Sequence, residues 1–166
     1  MKSITLRTFS FPKEHLPEIL KEHSIFINTY AEQYFSHPAF CTDSHPDELQ
    51  IEIFSLHELG FSKGATLRNI SEVLNDYHLK PCPACTGLFL RMAWKEQEQS
   101  SNSVLTGTHR APDQAVTVFS RPLETDDAFP KGLYLRNVDG KLWLRGYICD
   151  QDYLWSENDL FAFERS

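Results

Sequence analysis

Apolar residues recur at helical spacing near the N-terminus and then give way to alternation. Leu16, Ile19 and Leu20 fit one short amphipathic helix, and Ile27, Tyr30, Ala31 and Tyr34 fit a second. Residues 36–46 carry two His-Pro pairs, and proline pushes its predecessor out of the α region, so this stretch reads as loop. Gln50 to Phe54 alternates like a strand, and Ser55 with Glu58 three positions on forms a capping-box pattern for one helical turn. From Thr66, an N-cap residue, Leu67, Ile70, Val73, Leu74 and Tyr77 share one helical face until Pro81 and Pro83 forbid continuation. Beyond them, Leu88 to Trp94, Ala115 to Ser120, Leu133 to Val138, Lys141 to Ile148 and Leu160 to Phe163 are short runs rich in strand formers. The polar stretch Lys95 to Asn102 has nothing to bury and reads as a mobile connection.

Asp139-Gly140 between two strand runs is the sharpest local signal, because a two-residue type I′ turn wants positive φ at both positions. Register follows from it: Val138 faces Lys141, Arg136 faces Trp143, Leu135 faces Leu144 and Tyr134 faces Arg145. One face of the hairpin then carries Leu133, Leu135, Leu142, Leu144 and Ile148 and belongs to the core. The opposite face carries Tyr134, Arg136, Lys141, Trp143, Arg145 and Tyr147, where guanidinium groups can stack on rings at roughly 0.5–2 kcal/mol per contact. Arg91, if it projects the same way from a neighbouring strand, adds a third guanidinium to this face.

Composition narrows the class. A chain of 166 residues is one domain's length and can bury roughly 70% of its unfolded surface without a disulfide staple. Apolar residues at 41% and aromatics at 13% exclude a disordered chain. Sixteen basic against twenty-three acidic residues give 16 − 23 = −7, which disfavours nucleic acid as a partner. No run approaches the roughly 20 apolar residues of a spanning helix, and residues 1–11 lack a secretory h-region, so no membrane association and a cytoplasmic home are expected. Cys41, Cys82, Cys85 and Cys149 are too sparse for a disulfide scaffold.

Several blocks stand in order along roughly residues 50–164: Leu59-Gly60-Phe61 with Gly64-Ala65-Thr66, Cys82-Pro83, Leu90-Arg91, Arg110-Ala111-Pro112, Phe129-Pro130-Lys131-Gly132 and Leu142-Trp143-Leu144-Arg145-Gly146-Tyr147. In these blocks the chain resembles a family of small bacterial proteins with no established function. The resemblance implies kinship but no activity. Gly60 to Thr66 has the wrong spacing for a phosphate-binding loop.

Candidate chemistry is sparse. Cys82-Pro-Ala-Cys85 has the C-x-x-C spacing that lets two thiolates share a zinc ion or form a redox disulfide; the alternative is two packed thiols. A zinc ion needs four ligands, and His78, Cys41, His45 and Cys149 would have to converge from afar. Glu124, Asp126 and Asp127 have the oxygen ligands a hard cation prefers, but a solvated loop is the expected reading. His57 and His109 are single members without a nucleophile-base constellation, and no recognisable catalytic motif is present, so the sequence leaves open whether the protein is an enzyme. The unit from Ser55 to Leu79 looks superficially like a helix-turn-helix, but Glu72 and Asp76 make its second helix acidic.

The expected fold is α+β: an antiparallel sheet of about four or five strands with one packed helix, and an N-terminal helical extension over residues 1–49 ahead of a core domain at 50–166. The expected function is a non-catalytic binding module. It uses Tyr134, Arg136, Trp143, Arg145, Tyr147 and Arg91 to hold an anionic small molecule or an acidic protein partner, with no cofactor. The alternative is a metal- or thiol-dependent protein centred on Cys82 and Cys85.

Overall fold

The computed structural model describes residues 1–101 and 111–166. Among them are eight strands in one mixed sheet and four α-helices, an α+β architecture with more strands than the four or five expected. The strands are β1 (Lys2–Arg7), β2 (Ile25–Ile27), β3 (Glu48–Ser55), β4 (Leu79–Lys80), β5 (Val116–Val118), β6 (Gly132–Val138), β7 (Lys141–Tyr147) and β8 (Leu160–Arg165). The helices are α1 (Leu16–Glu22), α2 (Thr29–Ser36), α3 (Leu67–Val73) and α4 (Thr86–Ala93). The sheet runs β1-β3-β8-β5-β6-β7-β2, with β4 beside the far end of β8.

Two pairings are parallel, β5 with β8 and β2 with β7, which corrects the expectation of a purely antiparallel sheet. Parallel partners are joined by long crossovers rather than tight turns, so no local residue pair announces them. The expected boundary, between residues 49 and 50, falls inside β3. Strands on its two sides are hydrogen-bonded to each other, so residues 1–49 contribute β1 and β2 as well as helices.

Alternation along each strand builds two cores on opposite faces of the sheet. Leu6, Leu49, Ile51, Val116, Leu135 and Leu144 point to one face, where residues from α1, α2 and α4 cover them. Phe161 and Phe163 point the other way, onto Ile70 of α3, Leu56, Leu59 and Trp155. The Asp139-Gly140 hairpin has the expected register throughout. Burial of Leu133, Leu135 and Leu144, worth roughly 1.5–3 kcal/mol each, holds that register, since a one-residue slip would turn all three to the opposite face.

The run from Leu88 to Trp94, expected as a strand, lies mostly within helix α4, and Thr86 through Arg91 are buried consecutively. A helix buried on every side shows no apolar stripe, so periodicity cannot distinguish it from a buried strand. Gly87 permits its close seating, because a Cβ there would lie 3.0 Å from Leu133 Cδ1. Helix α3 starts where expected, with Thr66 and Asn69 forming a reciprocal capping box, and passes into a 3-10 turn (Leu74–Tyr77) that stops at His78 at φ 56°, ahead of Pro81. Ser55 and Glu58 form the expected reciprocal bonds, but around a short turn, so the superficial helix-turn-helix has one helix.

Residues 95–101 do have something to bury, contrary to the expected mobile connection. Gln97 and Ser100 are nearly inaccessible. Gln97 Nε2 donates to the carbonyls of Gln114 and Leu135, at 2.9 and 3.0 Å, and Ser100 N donates to Asn137 O at 2.8 Å. Asn102, the last residue of that expected connection, lies outside the described residues. No helix among the described residues is long and apolar enough to cross a membrane.

Candidate functional site

The hairpin face expected to carry the site is divided by what packs on it. Arg136 is sealed completely, its Nε donating to Ser100 Oγ at 2.9 Å, and burial lowers its pKa. Tyr134, Arg145 and Tyr147 instead line a cavity of about 790 Å³. Trp143 is not among the lining residues; the Arg145 guanidinium lies 5.0 Å from its ring centre and the ring of Phe26 of β2 5.4 Å from it. Lys141 is exposed at the turn, with Nζ 5.6 Å from the Phe26 ring.

Arg91 is not part of this face. It belongs to α4, is wholly buried, and donates from Nη1 to Gln97 Oε1 at 2.6 Å and from Nη2 to the Trp94 carbonyl. Burial brings its pKa down to about 10. It ties the end of α4 to residues 97–100, which run beside the end of β6.

The cavity walls come from four places in the sequence. Gly146 lets α2 approach β7, because a Cβ there would lie 2.6 Å from the carbonyl carbon of Tyr30. The Asn28 side chain bonds both backbone groups of Gly146, at 3.0 and 2.8 Å, while its Oδ1 also caps α2 through Ala31 N. That brings Tyr30 to one wall. Tyr153 and Trp155 form another, their rings 5.0 Å apart and crossed at 79°, with Trp155 also edge-on to Tyr147 at 5.5 Å. Ala111, Pro112 and Thr117 complete the lining with Cys149, Asp127 and Asp150. A second cavity, of about 720 Å³, adjoins this one and shares Trp155 and Tyr153.

Arg145 decides the electrostatics. Among the described residues its Nε is buried without a hydrogen-bond partner, and no carboxylate lies within ion-pair distance of it. Trp155 Nε1 is likewise buried without a partner among the described residues. Asp127 is engaged by Lys131 at 3.0 Å, and Asp150 Oδ1 accepts from Asp152 N at 3.0 Å. Burial raises the phenols of Tyr134 and Tyr147, in Tyr134 against the opposing pull of Arg145 and Arg136, so both are neutral hydroxyls near neutral pH.

The other candidate residues do not converge. Cys82 and Cys85 are buried; Cys82 Sγ donates to Ala162 O at 3.6 Å. Burial pushes the Cys82 thiol up strongly and that of Cys85 to about 12. Among the described residues no group of three or more His, Cys, Asp or Glu side chains is placed to hold a metal ion. Glu124 bonds His37 at 2.8 Å, and Asp126 Oδ1 accepts from Ala128 N at 2.9 Å. His57 is exposed with Glu157 as its near neighbour at 3.9 Å, and His109 and Arg110 lie outside the described residues. Tyr30, Tyr153 and Trp155 are the wall residues that sequence reasoning missed. Tyr153 and Trp155 sit in an irregular segment without periodicity, and Tyr30 reads simply as helix core.

Comparison of the chain with protein-family models, curated proteins and solved structures finds no match. What the described residues define is an architecture: an α+β protein with an eight-stranded mixed sheet and a cavity lined by aromatic rings and Arg145.

Proposed function

We propose that the protein is a non-catalytic binding module that takes an anionic small molecule into the cavity beside Arg145. The observation that carries this reading is a guanidinium without a counter-charge among the described residues, on the wall of a cavity whose size falls in the roughly 300–1,000 Å³ range of small-molecule sites. A partly buried charge without a counter-charge is costly, and an anion meeting it regains hydrogen bonds of the charge-assisted kind. The surrounding rings add apolar contact area. Burial of both thiols and their raised pKa values weigh against the alternative centred on Cys82 and Cys85, since the thiolate is the species that binds metal or attacks a disulfide. Exposed Phe26 beside Trp143, with exposed Lys141 over the Phe26 ring, favours, as a second reading, an acidic protein partner docking on the outer part of the same strip.

The test is thermal unfolding with acetate, phosphate and benzoate as probes, on the protein and on its Arg145→Met variant. At least one anion is expected to raise the midpoint of the protein and leave the variant unmoved, because a ligand that binds only the folded state stabilises it by mass action. No response to any probe, or an equal response in the variant, would sink the proposal.

A further inference from the structure

We infer that the ligand of this cavity is an aromatic monocarboxylate, an inference that rests on the binding role proposed above. Three observations converge on it. Two residues of the lining, Arg145 and Trp155, hold buried donors, Nε and Nε1, without partners among the described residues, and no described lining residue holds a buried acceptor in that state, so a ligand that reaches them presents acceptor oxygens. A carboxylate supplies two oxygens in one plane, matching the planar fork of a guanidinium.

The second observation is the character of the walls. Tyr147 meets Trp155 at 89° and Tyr153 meets Trp155 at 79°, so the rings are arranged edge to face rather than stacked on one another. Tyr134 and Tyr30 lie on the same lining. Aromatic pairs favour this perpendicular or an offset arrangement, and a flat ring entering the cavity finds both edges and faces to meet. An aliphatic anion would gain the charge contact and leave the rings unused.

The third observation is the charge count. Among the described residues the lining carries one cation, Arg145, against two carboxylates, Asp127 and Asp150. Lys131 compensates Asp127 at 3.0 Å, but no cation is within ion-pair distance of Asp150 among the described residues. A ligand with a single negative charge satisfies Arg145, whereas a phosphorylated nucleotide brings additional charge toward Asp150, and like charges repel.

The experiment is isothermal titration calorimetry with four probes: 2-naphthoate, its neutral analogue 2-naphthamide, adenosine monophosphate and glutarate. The proteins are the wild type, Arg145→Met and Trp155→Phe. Naphthoate is expected to bind the wild type at least tenfold more tightly than the amide, and Arg145→Met to abolish that difference. Trp155→Phe keeps a ring but removes the N–H donor and is expected to weaken naphthoate binding about tenfold, the size of a charged hydrogen bond. If that variant does not fold, the comparison of wild type with Arg145→Met decides the matter by itself. Arg145-dependent binding of adenosine monophosphate or glutarate without naphthoate would overturn the aromatic monocarboxylate and leave the binding module standing. Equal binding of naphthoate and its amide would also overturn it. Failure of all four probes to bind in an Arg145-dependent way would overturn both.

Discussion

Cys82 and Cys85 have the spacing of a redox or zinc pair and the surroundings of core side chains. Cys82 is 4% exposed and Cys85 2%, while Cys41 is exposed and Cys149 half-buried, its thiol raised to about 11 by burial. Because only thiolate attacks a disulfide reagent, titration of the native protein at pH 8 is expected to label Cys41 first and Cys149 slowly. Cys82 and Cys85 should react only after a denaturant is added. Rapid labelling of either in the native protein would contradict their placement. Spacing alone could not reveal this, because burial is set by Ala162 of β8 and by helix α4, both distant in the sequence or misread there. The same holds for the two arginines of the hairpin. Their shared face was legible from the turn, but their different fates depend on Ser100 above Arg136 and on the open space beside Arg145.

Hairpin β6–β7 is the element most fully legible in the sequence, since Asp139 and Gly140 take φ values of 51° and 76°, as a type I′ turn demands. A Cβ at Gly140 would meet nothing within 4 Å, so Gly140→Ala isolates the conformational penalty and is expected to cost about 1–2 kcal/mol. Gly146 differs: an added methyl carbon would press on the backbone of Tyr30 and Ala31, at 2.6 and 2.7 Å, which cannot swing aside as a side chain can. Gly146→Ala is therefore expected to cost at least as much, by overpacking of about 1–3 kcal/mol, and to perturb the cavity as well. Urea unfolding with unchanged slope measures both; a neutral Gly146→Ala would refute the close approach of α2 to β7. Helix α4 and strand β2 escaped the sequence for different reasons. The first is buried all round, and the second is three residues long, held by a parallel partner more than a hundred positions away.

At the level of the whole molecule, burial of neutral acids ties stability to alkaline pH. An unfolded thiol ionises near 9.0, whereas Cys85 holds its proton to about 12 and Cys149 to about 11; Tyr34 moves from 10.0 to about 12. Between those limits the unfolded chain has lost protons that the folded chain keeps, so stability is complete below pH 9 and declines as pH rises beyond it. Each such group adds a slope of about 1.4 kcal/mol per pH unit within its window. Urea midpoints are expected to be flat from about pH 7 to 8.5 and to fall above 9, with a shallower fall in Cys85→Ala; a flat profile to pH 10.5 would refute this. The α+β class itself was legible, since five strands (β3, β5, β6, β7 and β8) and three helices (α1, α2 and α3) carry local signals. The strand count was not, because β2 and β4 are only three and two residues long, and β1, β2 and β4 all find their partners at a distance. Both margins of the sheet, β1 and β2, come from the first 27 residues, while the slot that receives β2 is made by residues 142–144. During synthesis Ile25 and Phe26 thus emerge long before their neighbours exist, and long-range pairing of this kind is slow. One border of the sheet is left waiting with apolar groups in water until most of the polypeptide has left the ribosome, a period in which a holding chaperone would find its easiest grip on this protein.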